Sequence, residues 1–408
     1  RMVSKVDQDA MRDTNRKLML QALFNAQQTS RSEIAEQIAL HKSTVTTIYR
    51  NVEADGYIEE LGEGTVSKAG GRKPKLIRFN RHYGYIVSFD LGRNHLRYLV
   101  ARITGEVISR GQMTVFGMRY ADYKRAMLSY IAQLGDMQTD HGLIGIGVAI
   151  HGVVEDNKVR YTPFHTELVN EDLAKDLEEA LHVPVILENE ANLAAVYLRD
   201  YHDYDSDEIF QNFTVVNIHN GIGAGIIQNG RLFRGLHGEA GEIGRQVVLN
   251  NDQLAKGDFD DTIHIEDLYA EDAMLSRLAS LKGQEEITRE DFLSLYMGGD
   301  ADAKSLIDEW VHAICRTIYN LAQYAAPEAV FVHSRFIAGT PELLDYLLET
   351  YRKIEPESET PLYFAKKSVN RATLSGGVAL VTRTLLDMMG YELNFALEEE
   401  DAAESNWL

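Results

Sequence analysis

Residues 188–192, Glu-Asn-Glu-Ala-Asn, place two carboxylates and two amides within five positions. Such a cluster can abstract a proton from a hydroxyl group, hold a sugar by hydrogen bonds, or bind a metal ion. The segment VPVILENEAN predicts a buried strand that ends at the cluster, and ANLAAVYLRD predicts the helix that follows. Because open α/β sheets bind ligands at the carboxyl ends of their strands, the cluster is predicted to be a ligand site.

The charge distribution divides the chain of 408 residues, which is long enough for two or three domains. Residues 1–80 carry 13 Lys/Arg and 10 Asp/Glu, a net charge of +3. Residues 81–408 carry 28 and 52, a net charge of -24. The overall charge of -21 alone argues against a nucleic-acid binder, but the first 80 residues must be interpreted separately.

Composition also limits the cellular setting and the covalent chemistry. The sequence contains no run of about 18 apolar residues, so no membrane span is predicted. The first residues also lack the apolar core of a signal peptide. Because Cys315 is the single cysteine, an intrachain disulfide and a multi-cysteine zinc site are excluded. Cys315 falls within a predicted helix and is expected to lie in the core. We therefore expect a cytoplasmic protein with no membrane partner.

Three stretches of helical apolar spacing fill the first 56 residues, the second capped by Ser30 or Ser32 and the third ended by Gly56. The third helix turns Val45, Ile48 and Val52 inward. Its outer face carries short polar and basic side chains of the kind that reach base edges and phosphates in the major groove of double-stranded DNA. These are Lys42, Ser43, Thr44, Thr46, Thr47 and Arg50.

Two short strands follow these helices, at Tyr57-Ile58 and at Leu76–Phe79, and together they predict a wing. Residues 65–81 contain six basic residues and no acidic one. The adjacent Gly70-Gly71 lets the backbone approach DNA closely, and Arg72-Lys73 can enter the negative potential of a narrow minor groove. A solvated basic turn is the simpler alternative for this run.

From Tyr83 onwards the pattern becomes α/β. Residues 84–115 and 211–248 each predict a strand meander, the second with the glycine turn GIGAGI and a hairpin turn at Asn229-Gly230. Helices are predicted at 120–135 and near 265–282, 290–297 and 301–326. The repeated meander indicates two similar lobes that face one cleft.

Five motifs occur in order behind the predicted helix-turn-helix: DLG at 90–92, GIGVAIHG at 145–152, ENEAN at 188–192, GIGAGI at 221–226 and HGEAGEIG at 237–244. With them, the whole chain resembles the ROK family of repressors and sugar kinases, and within it the sugar-responsive repressors of xylose and N-acetylglucosamine metabolism. The resemblance implies a mostly α winged helix-turn-helix at 1–80, followed by an α/β actin-like (ribonuclease H-like) fold. Its lobes are expected at 81–200 and 201–408, with the last helix able to pack back on the first lobe.

The resemblance further implies a sugar site. Asn189 corresponds to an amide that hydrogen-bonds sugar hydroxyls, and Glu190 to the carboxylate that is an aspartate general base in the kinases. Glu242 corresponds to a sugar-binding glutamate, and Glu239 and Gly152 complete the predicted set. A helix-terminal carboxylate stabilised by the helix dipole is the alternative for Glu190.

Three departures from the kinases predict a sensor that performs no catalysis and needs no cofactor. Glu190 has one methylene more than the aspartate base, and general-base geometry tolerates little displacement. The segments 92–95 and 218–221 lack the hydroxyl-bearing residues that the kinases have beside the phosphates. The strand FVHSRFIAG lacks the glycine cluster expected near an adenosine.

A fourth departure concerns metal. Many family members bind zinc through a histidine directly after GEIG and three closely spaced cysteines. Arg245 stands at that histidine position and residues 250–270 contain no cysteine, so no metal is predicted. The acidic run 258–261 with His264 is a weaker alternative, because structural zinc prefers softer ligands. Arg245 is expected to pair with Glu239 or Glu242, or to touch the ligand.

Taken together, the patterns predict a repressor of carbohydrate-metabolism genes. Its expected partners are double-stranded operator DNA, a sugar or sugar derivative as effector, and a second copy of the chain in a homodimer or dimer of dimers. Two alternatives remain open: a sugar kinase that keeps a DNA-binding arm, and a regulator controlled by a protein partner. The sugar itself is not predicted, because selectivity depends on loops such as 159–170, which contains the unusual pair Phe164-His165.

Overall fold

The computed structural model describes residues 5–65, 72–248, 256, 262–354, 356–357, 360–364 and 369–397. The predicted glycine pair 70–71, the acidic run 258–261 and the acidic end of the chain beyond 397 lie outside the described residues.

The N-terminal unit has three helices and a two-stranded antiparallel sheet, in the predicted order. They are α1 (Lys5–Asn25), α2 (Arg31–Gln37), α3 (Lys42–Ala54), β1 (Ile58–Glu63) and β2 (Lys75–Phe79). Ser30 caps α2, since its side chain accepts a hydrogen bond from the backbone N–H of Glu33. Gly56, at φ +88°, turns the chain out of α3 in a left-handed conformation that favours glycine. The predicted inward residues of α3 are buried in a core shared with α1 and β2.

The first lobe is built on a five-stranded sheet with the order β5-β4-β3-β6-β9. Its strands are β3 (Tyr85–Leu91), β4 (His95–Arg102), β5 (Val107–Thr114), β6 (Leu143–Ile150) and β9 (Val185–Asn189). The hairpin β7 (Val153–Glu155) and β8 (Lys158–Tyr161) extends from the end of β6. Helices α4 (Tyr120–Ala132) and α5 (Leu173–Leu181) cover the outer face of the sheet.

The second lobe repeats this topology. Its sheet has the order β12-β11-β10-β15-β16, again an antiparallel meander extended by two parallel strands. The strands are β10 (Phe213–Ile218), β11 (Ile222–Gln228), β12 (Arg231–Phe233), β15 (Ala329–Ser334) and β16 (Leu362–Phe364). A small ladder joins β13 (Val247–Val248) to β14 (Ile263–His264).

Among the residues of the second lobe that the structure describes, six helices pack on the outer face of its sheet or extend from it. They are α7 (Ile265–Tyr269), α8 (Glu271–Leu281), α9 (Arg289–Met297), α10 (Ala301–Ala325), α11 (Arg335–Gly339) and α12 (Pro341–Ile354). As the sequence predicts, Cys315 is buried in α10, and burial raises the pKa of its thiol to about 12. A thiol of that pKa is a poor nucleophile at neutral pH.

Two helices lie between the sheets, α6 (Glu190–Tyr201) and α13 (Val369–Leu386), and they pack tightly against each other. Helix α13 contacts the inner face of the first sheet, where Val378 belongs to one buried apolar cluster with Ile86 and Leu99. Helix α6 lies against β11 so closely that a Cβ atom at Gly225 would clash with the carbonyl oxygen of Ala191. The glycine-rich β11 therefore has a packing function in this chain.

The N-terminal unit docks on the lobes through aromatic side chains and through a segment that we call the C-terminal strap, residues 387–397. The ring of Phe24 in α1 lies 5.0 Å from that of Phe395 in the strap. Asn25 donates to the carbonyl of Glu392 at 3.0 Å and accepts from the N–H of Asn394 at 2.8 Å. Within the described residues, none of the helices combines the length and the hydropathy that a membrane crossing requires.

Candidate functional site

The predicted cluster lies at the junction where β9 ends and α6 begins. Asn189 is the N-cap of α6, and its side-chain oxygen accepts from the N–H groups of Ala191 at 2.9 Å and Asn192 at 3.1 Å. Its amide nitrogen donates to the carbonyl of Gly152 at 2.7 Å. Two of the predicted sugar-binding residues therefore lie together, and the oxygen of Asn189 is already engaged by the helix terminus.

Glu190 projects from α6 towards the second lobe, where two residues near the end of β10 meet its carboxylate. The amide of Asn217 donates to Oε2 of Glu190 at 2.9 Å, and Nε2 of His219 lies 3.6 Å from Oε1. The Asn217 amide is oriented in turn by Nδ1 of His333, 2.8 Å from its oxygen. The carboxylate of Glu190 thus joins the two lobes at the base of the cleft.

His151 approaches the same carboxylate from the first lobe, directly after β6. Its Nε2 lies 2.7 Å from Oδ1 of the buried Asp90 at the end of β3, and its ring is 5.5 Å from the ring of His219, at a right angle. Burial opposes the charge on His151, but the attraction of Asp90 and the hydrogen bond to it outweigh this effect, so the pKa of His151 is raised.

The environment keeps Glu190 ionised. Burial alone would raise the pKa of this carboxyl, but the attraction and hydrogen bonding of His219, the charge of His151 and the Asn217 amide together lower it to about 2. A carboxylate of such low basicity is poorly matched to proton abstraction near neutral pH, where an effective base has a pKa close to the working pH.

Glu242 behaves in the opposite way. Burial, the negative charge of Glu190 and the negative charge of Glu266 raise its pKa to about 7. It therefore lies close enough to Glu190 for the two charges to interact, and it is only partly ionised at neutral pH.

The fifth predicted ligand residue, Glu239, lies on the rim of the cleft. Its carboxylate is half-exposed and pairs with Arg160 of β8 across the two lobes at 2.8 Å. Arg245 contacts the same strand, since its guanidinium lies over the ring of Tyr161, 5.0 Å from the ring centroid. Glu239 and Arg245 thus both connect the second lobe with β8 of the first.

Glu188 is also an inter-lobe residue. One oxygen accepts from the N–H of Asn189 at 2.8 Å and from the Asn192 amide at 2.9 Å, and the other lies 2.6 Å from Nε of Arg234 in the second lobe. The loop 159–170 closes the first-lobe side, where His165 Nε2 lies 2.6 Å from the carbonyl oxygen of Gly92.

Several residues of the cluster were not predicted from the sequence: Asp90, His151, Asn217, His219 and His333. Two of the histidines belong to or adjoin motifs identified in the sequence: His151 lies inside GIGVAIHG, and His219 lies two residues before GIGAGI. Their position next to turns at the ends of predicted strands was the available signal. Sequence alone did not show that these strand ends, far apart in the chain, meet at one carboxylate.

A second candidate site is the outer face of α3. Lys42, Ser43, Thr44, Thr47 and Arg50 are exposed, and Thr46 is half-buried. The hydroxyls of Thr46 and Thr47 donate to backbone carbonyls one turn earlier, at 2.9 and 3.2 Å. Arg72 and Lys73, before β2, are also exposed. The predicted DNA-contact residues of α3 therefore share one accessible face.

Comparison with known proteins extends these observations. A model of the ROK family matches residues 86–384. A xylose repressor from Lactiplantibacillus pentosus is 36% identical over 395 residues, which span 96% of this chain and 98% of that repressor. The crystal structure of a ROK family transcriptional regulator, a homologue of the E. coli MLC protein, matches with a TM-score of 0.75 at 20% identity, over 92% of this chain and 97% of that chain.

Sugar kinases share the fold as well. A ROK family glucokinase from Streptomyces griseus, solved in complex with glucose and AMPPNP, matches with a TM-score of 0.59 at 20% identity, over 73% of this chain and 99% of that chain. These two structures establish the two-lobed fold that regulators and sugar kinases have in common. Because the family model spans most of the chain and the xylose repressor is similar over nearly its whole length, the chain belongs to the ROK family.

Proposed function

We propose that this protein is a DNA-binding transcriptional repressor of carbohydrate-metabolism genes, and that a sugar or sugar derivative bound between the lobes changes its affinity for operator DNA. One observation carries the proposal: the chain joins an N-terminal unit with an exposed polar and basic helix face to a cleft that contains Glu190. The relative named xylose repressor is similar across both parts.

The cleft suits a neutral polyol. The Glu190 carboxylate, the remaining Asn189 amide hydrogen and the partly protonated Glu242 offer a hydroxyl-rich ligand both acceptors and donors. Selectivity follows because an unmatched hydroxyl in a buried cleft costs roughly 1–3 kcal/mol. Gly152 and Glu239 belong to this proposal as the backbone neighbour of Asn189 and as a rim residue.

The same residues favour sensing over phosphoryl transfer. Glu190 is engaged by Asn217 and His219, and the low pKa of its carboxyl makes it a weak base. His219 fills the turn after β10 with a buried imidazole, and β11 uses its glycines to approach α6. We therefore infer a regulator that is not an enzyme and needs no nucleotide cofactor.

The N-terminal unit is proposed to bind as a winged helix-turn-helix, with α3 in the major groove of double-stranded DNA. Lys42, Ser43, Thr44, Thr46, Thr47 and Arg50 are the proposed contacts of α3, and Arg72 and Lys73 are those of the wing. In a homodimer or a dimer of dimers, two such helices would read two half-sites, and their spacing would decide whether operator DNA is bound.

A continuous series of contacts connects the proposed sugar site with the N-terminal unit. Glu190 is the first residue of α6, and Asp200 near its end is buried and paired with Arg383 of α13 at 2.7 Å. Arg383 also donates to the carbonyls of Met388 and Tyr391 in the C-terminal strap. The strap then hydrogen-bonds Asn25 of α1. A ligand that moves α6 relative to the lobes would thereby shift the N-terminal unit.

Two linked measurements test the proposal. A thermal-shift screen with pentoses, hexoses, amino sugars and sugar phosphates is expected to give a sugar that raises the melting temperature of the wild type but not of Glu190→Gln, because a ligand stabilises the state that it binds. Glu179→Gln, an exposed carboxylate on α5, is the control.

DNA selected by the protein from a random pool is then titrated with and without that sugar. We expect its affinity to change about 5- to 150-fold, the usual range of allosteric coupling. Absence of any DNA selection, or an equal affinity with and without every stabilising sugar, would contradict the proposal.

A further inference from the structure

We propose that His151, Glu190 and His219 form a binding site for one divalent transition-metal cation of the zinc class. The three residues offer one ligand atom each, and these atoms lie within 4.8 Å of one another. They belong to three separate chain segments, which follow β6, β9 and β10 and meet at the base of the cleft. The site differs from the zinc position that the family resemblance implies, which would lie at Arg245.

The surroundings of the three residues are those of a metal site. Asp90 holds Nε2 of His151 at 2.7 Å, which fixes the orientation of a ring that lies beside the other two ligand residues. Such carboxylate–histidine pairs commonly support metal-bound imidazoles and raise their basicity. Asn217 holds Oε2 of Glu190, so Oε1, the oxygen nearer to His219, is available as a ligand atom.

Burial strengthens the inference. Asp90 and Glu190 bring two carboxylates into the interior, and a divalent cation would balance their charge. His333, which orients Asn217, is buried too, and its Nε2 has no hydrogen-bond partner among the described residues. Its neutral ring, whose pKa burial lowers to about 4, lies close enough to Glu190 and His219 to feel their charges.

The types of ligand atom indicate which class of metal the site would bind. Two imidazoles and one carboxylate are a common ligand combination for zinc, whereas calcium and magnesium prefer sites made of oxygen atoms. Bond lengths of about 2.0–2.2 Å require the three ligand atoms to move closer together by roughly 1 Å, which side-chain rotation can supply. Three protein ligands leave a fourth position open in a tetrahedral site, facing the cleft.

Glu190 belongs both to this site and to the proposed sugar site, but metal binding can be measured on the protein alone, without DNA or sugar. Untagged full-length protein is treated with a chelator, dialysed and titrated with zinc chloride in a calorimeter, and bound metal is counted by elemental analysis. We expect one zinc ion per chain. Asp90→Asn should weaken binding about 10- to 100-fold, as is typical for the loss of such a supporting partner.

Variants distinguish this site from adventitious binding. His151→Ala and His219→Ala should each abolish the stoichiometric binding event, while His312→Ala, an exposed histidine of α10, should bind zinc as the wild type does. Circular dichroism checks that each variant is folded, and Glu190→Gln replaces any variant that is not. The inference is overturned if the wild type binds no stoichiometric zinc, or if the folded cluster variants keep it.

Discussion

At the scale of single residues, the two glutamates of the cleft show how position decides acidity. Glu190 and Glu242 are the same side chain, and both are largely removed from water. The pKa of Glu190 falls to about 2 because histidines and an amide meet its carboxylate and outweigh its burial. The pKa of Glu242 rises to about 7 because of its burial and, in addition, the negative charges of Glu190 and Glu266. One is an anion throughout the physiological range, and the other changes charge within it.

Glu242 should make the stability of the protein depend on pH. Between its ordinary pKa of 4.5 and the folded-state value of about 7, the folded protein keeps a proton that the unfolded chain has released. The free energy of unfolding therefore falls as pH rises through this window, by at most about 3 kcal/mol from this residue. Chemical denaturation at pH 5, 6, 7 and 8 should show a flatter profile for Glu242→Gln than for wild type, with Glu179→Gln as control; parallel profiles would contradict the assignment.

Restoring the kinase residue should not restore kinase activity. In Glu190→Asp the shorter carboxylate matches the general base of the kinases, yet His219 still occupies the turn after β10. We expect no sugar-dependent ADP release from Mg-ATP with pentoses, hexoses or amino sugars, with a ROK glucokinase as positive control. Turnover of about 1 s⁻¹ or more, an ordinary enzyme rate, would show that the methylene alone separates this chain from an enzyme.

The sequence predicted the ligand site at Glu190 because a buried strand followed by a polar cluster and a helix is a local pattern. The partners of Glu190 could not be predicted in the same way. His151, His219 and His333 come from strand ends separated by long helical and loop segments, and their convergence depends on the pairing of β10 with β15 and on the closeness of the lobes. Glu188, interpreted from the sequence only as a strand-end carboxylate, bridges the lobes through Arg234.

At the scale of elements, helix α3 was predictable almost residue by residue. The predicted inward residues Val45, Ile48 and Val52 recur at helical spacing and are buried, together with Tyr49, which was not predicted. Most of the polar and basic positions lie outside. The cap was not predicted: the side chain of His41 accepts from the N–H of Ser43. Helical periodicity identifies faces well, but capping depends on rotamers that the pattern does not specify.

Arg50 provides a test of this face. Arg50→Ala should weaken binding to selected DNA by about 1–3 kcal/mol, because the exposed guanidinium is placed to reach a base edge or a phosphate. Fluorescence anisotropy at several salt concentrations separates these two cases, since loss of a phosphate contact reduces the salt dependence as well. Lys175→Ala on α5 controls for a general change in charge, and equal losses in both variants would argue against α3 as the reading helix.

The glycine motif of β11 shows where an element was harder to interpret. GIGAGI resembles a phosphate-binding turn, and in this chain its third glycine allows α6 to lie directly on the strand. A glycine pattern indicates that another group approaches the backbone closely. The sequence does not show whether that group is a ligand or a helix.

At the scale of the whole molecule, the repeated meanders allowed the two lobes to be anticipated, and the structure shows the same strand order in both sheets. The contacts that unite the N-terminal unit with the C-terminal strap could not be anticipated. Asn25 and Asn394 are 369 positions apart, and neither belongs to a pattern that singles it out.

We therefore expect Asn25 to affect the coupling between sugar binding and DNA binding more than either binding affinity itself. Asn25→Ala removes two hydrogen bonds between α1 and the strap, while the DNA-contact face and the cleft keep their residues. We expect the separate affinities for sugar and for DNA to change less than about threefold, and the effect of sugar on DNA affinity to shrink, because coupling requires a physical connection between the sites. Gln28→Ala, an exposed amide of the same unit, is the control, and full coupling in Asn25→Ala would exclude this route.

Helix α13 packs on the first sheet and the strap packs on α1, although both are made much later than the elements that they contact. This order matters during synthesis. The strands that α13 covers are complete when Asn189 has been made, but α13 begins only at Val369. At 5–20 residues per second, the ribosome needs roughly ten to forty seconds to make the intervening segment. During that time the inner face of the first sheet, with Ile86 and Leu99, lacks the helix that covers it in the folded protein, so the nascent chain exposes apolar side chains there. The contact of the N-terminal unit with the strap forms later still, because residues 387–397 are made only after α13.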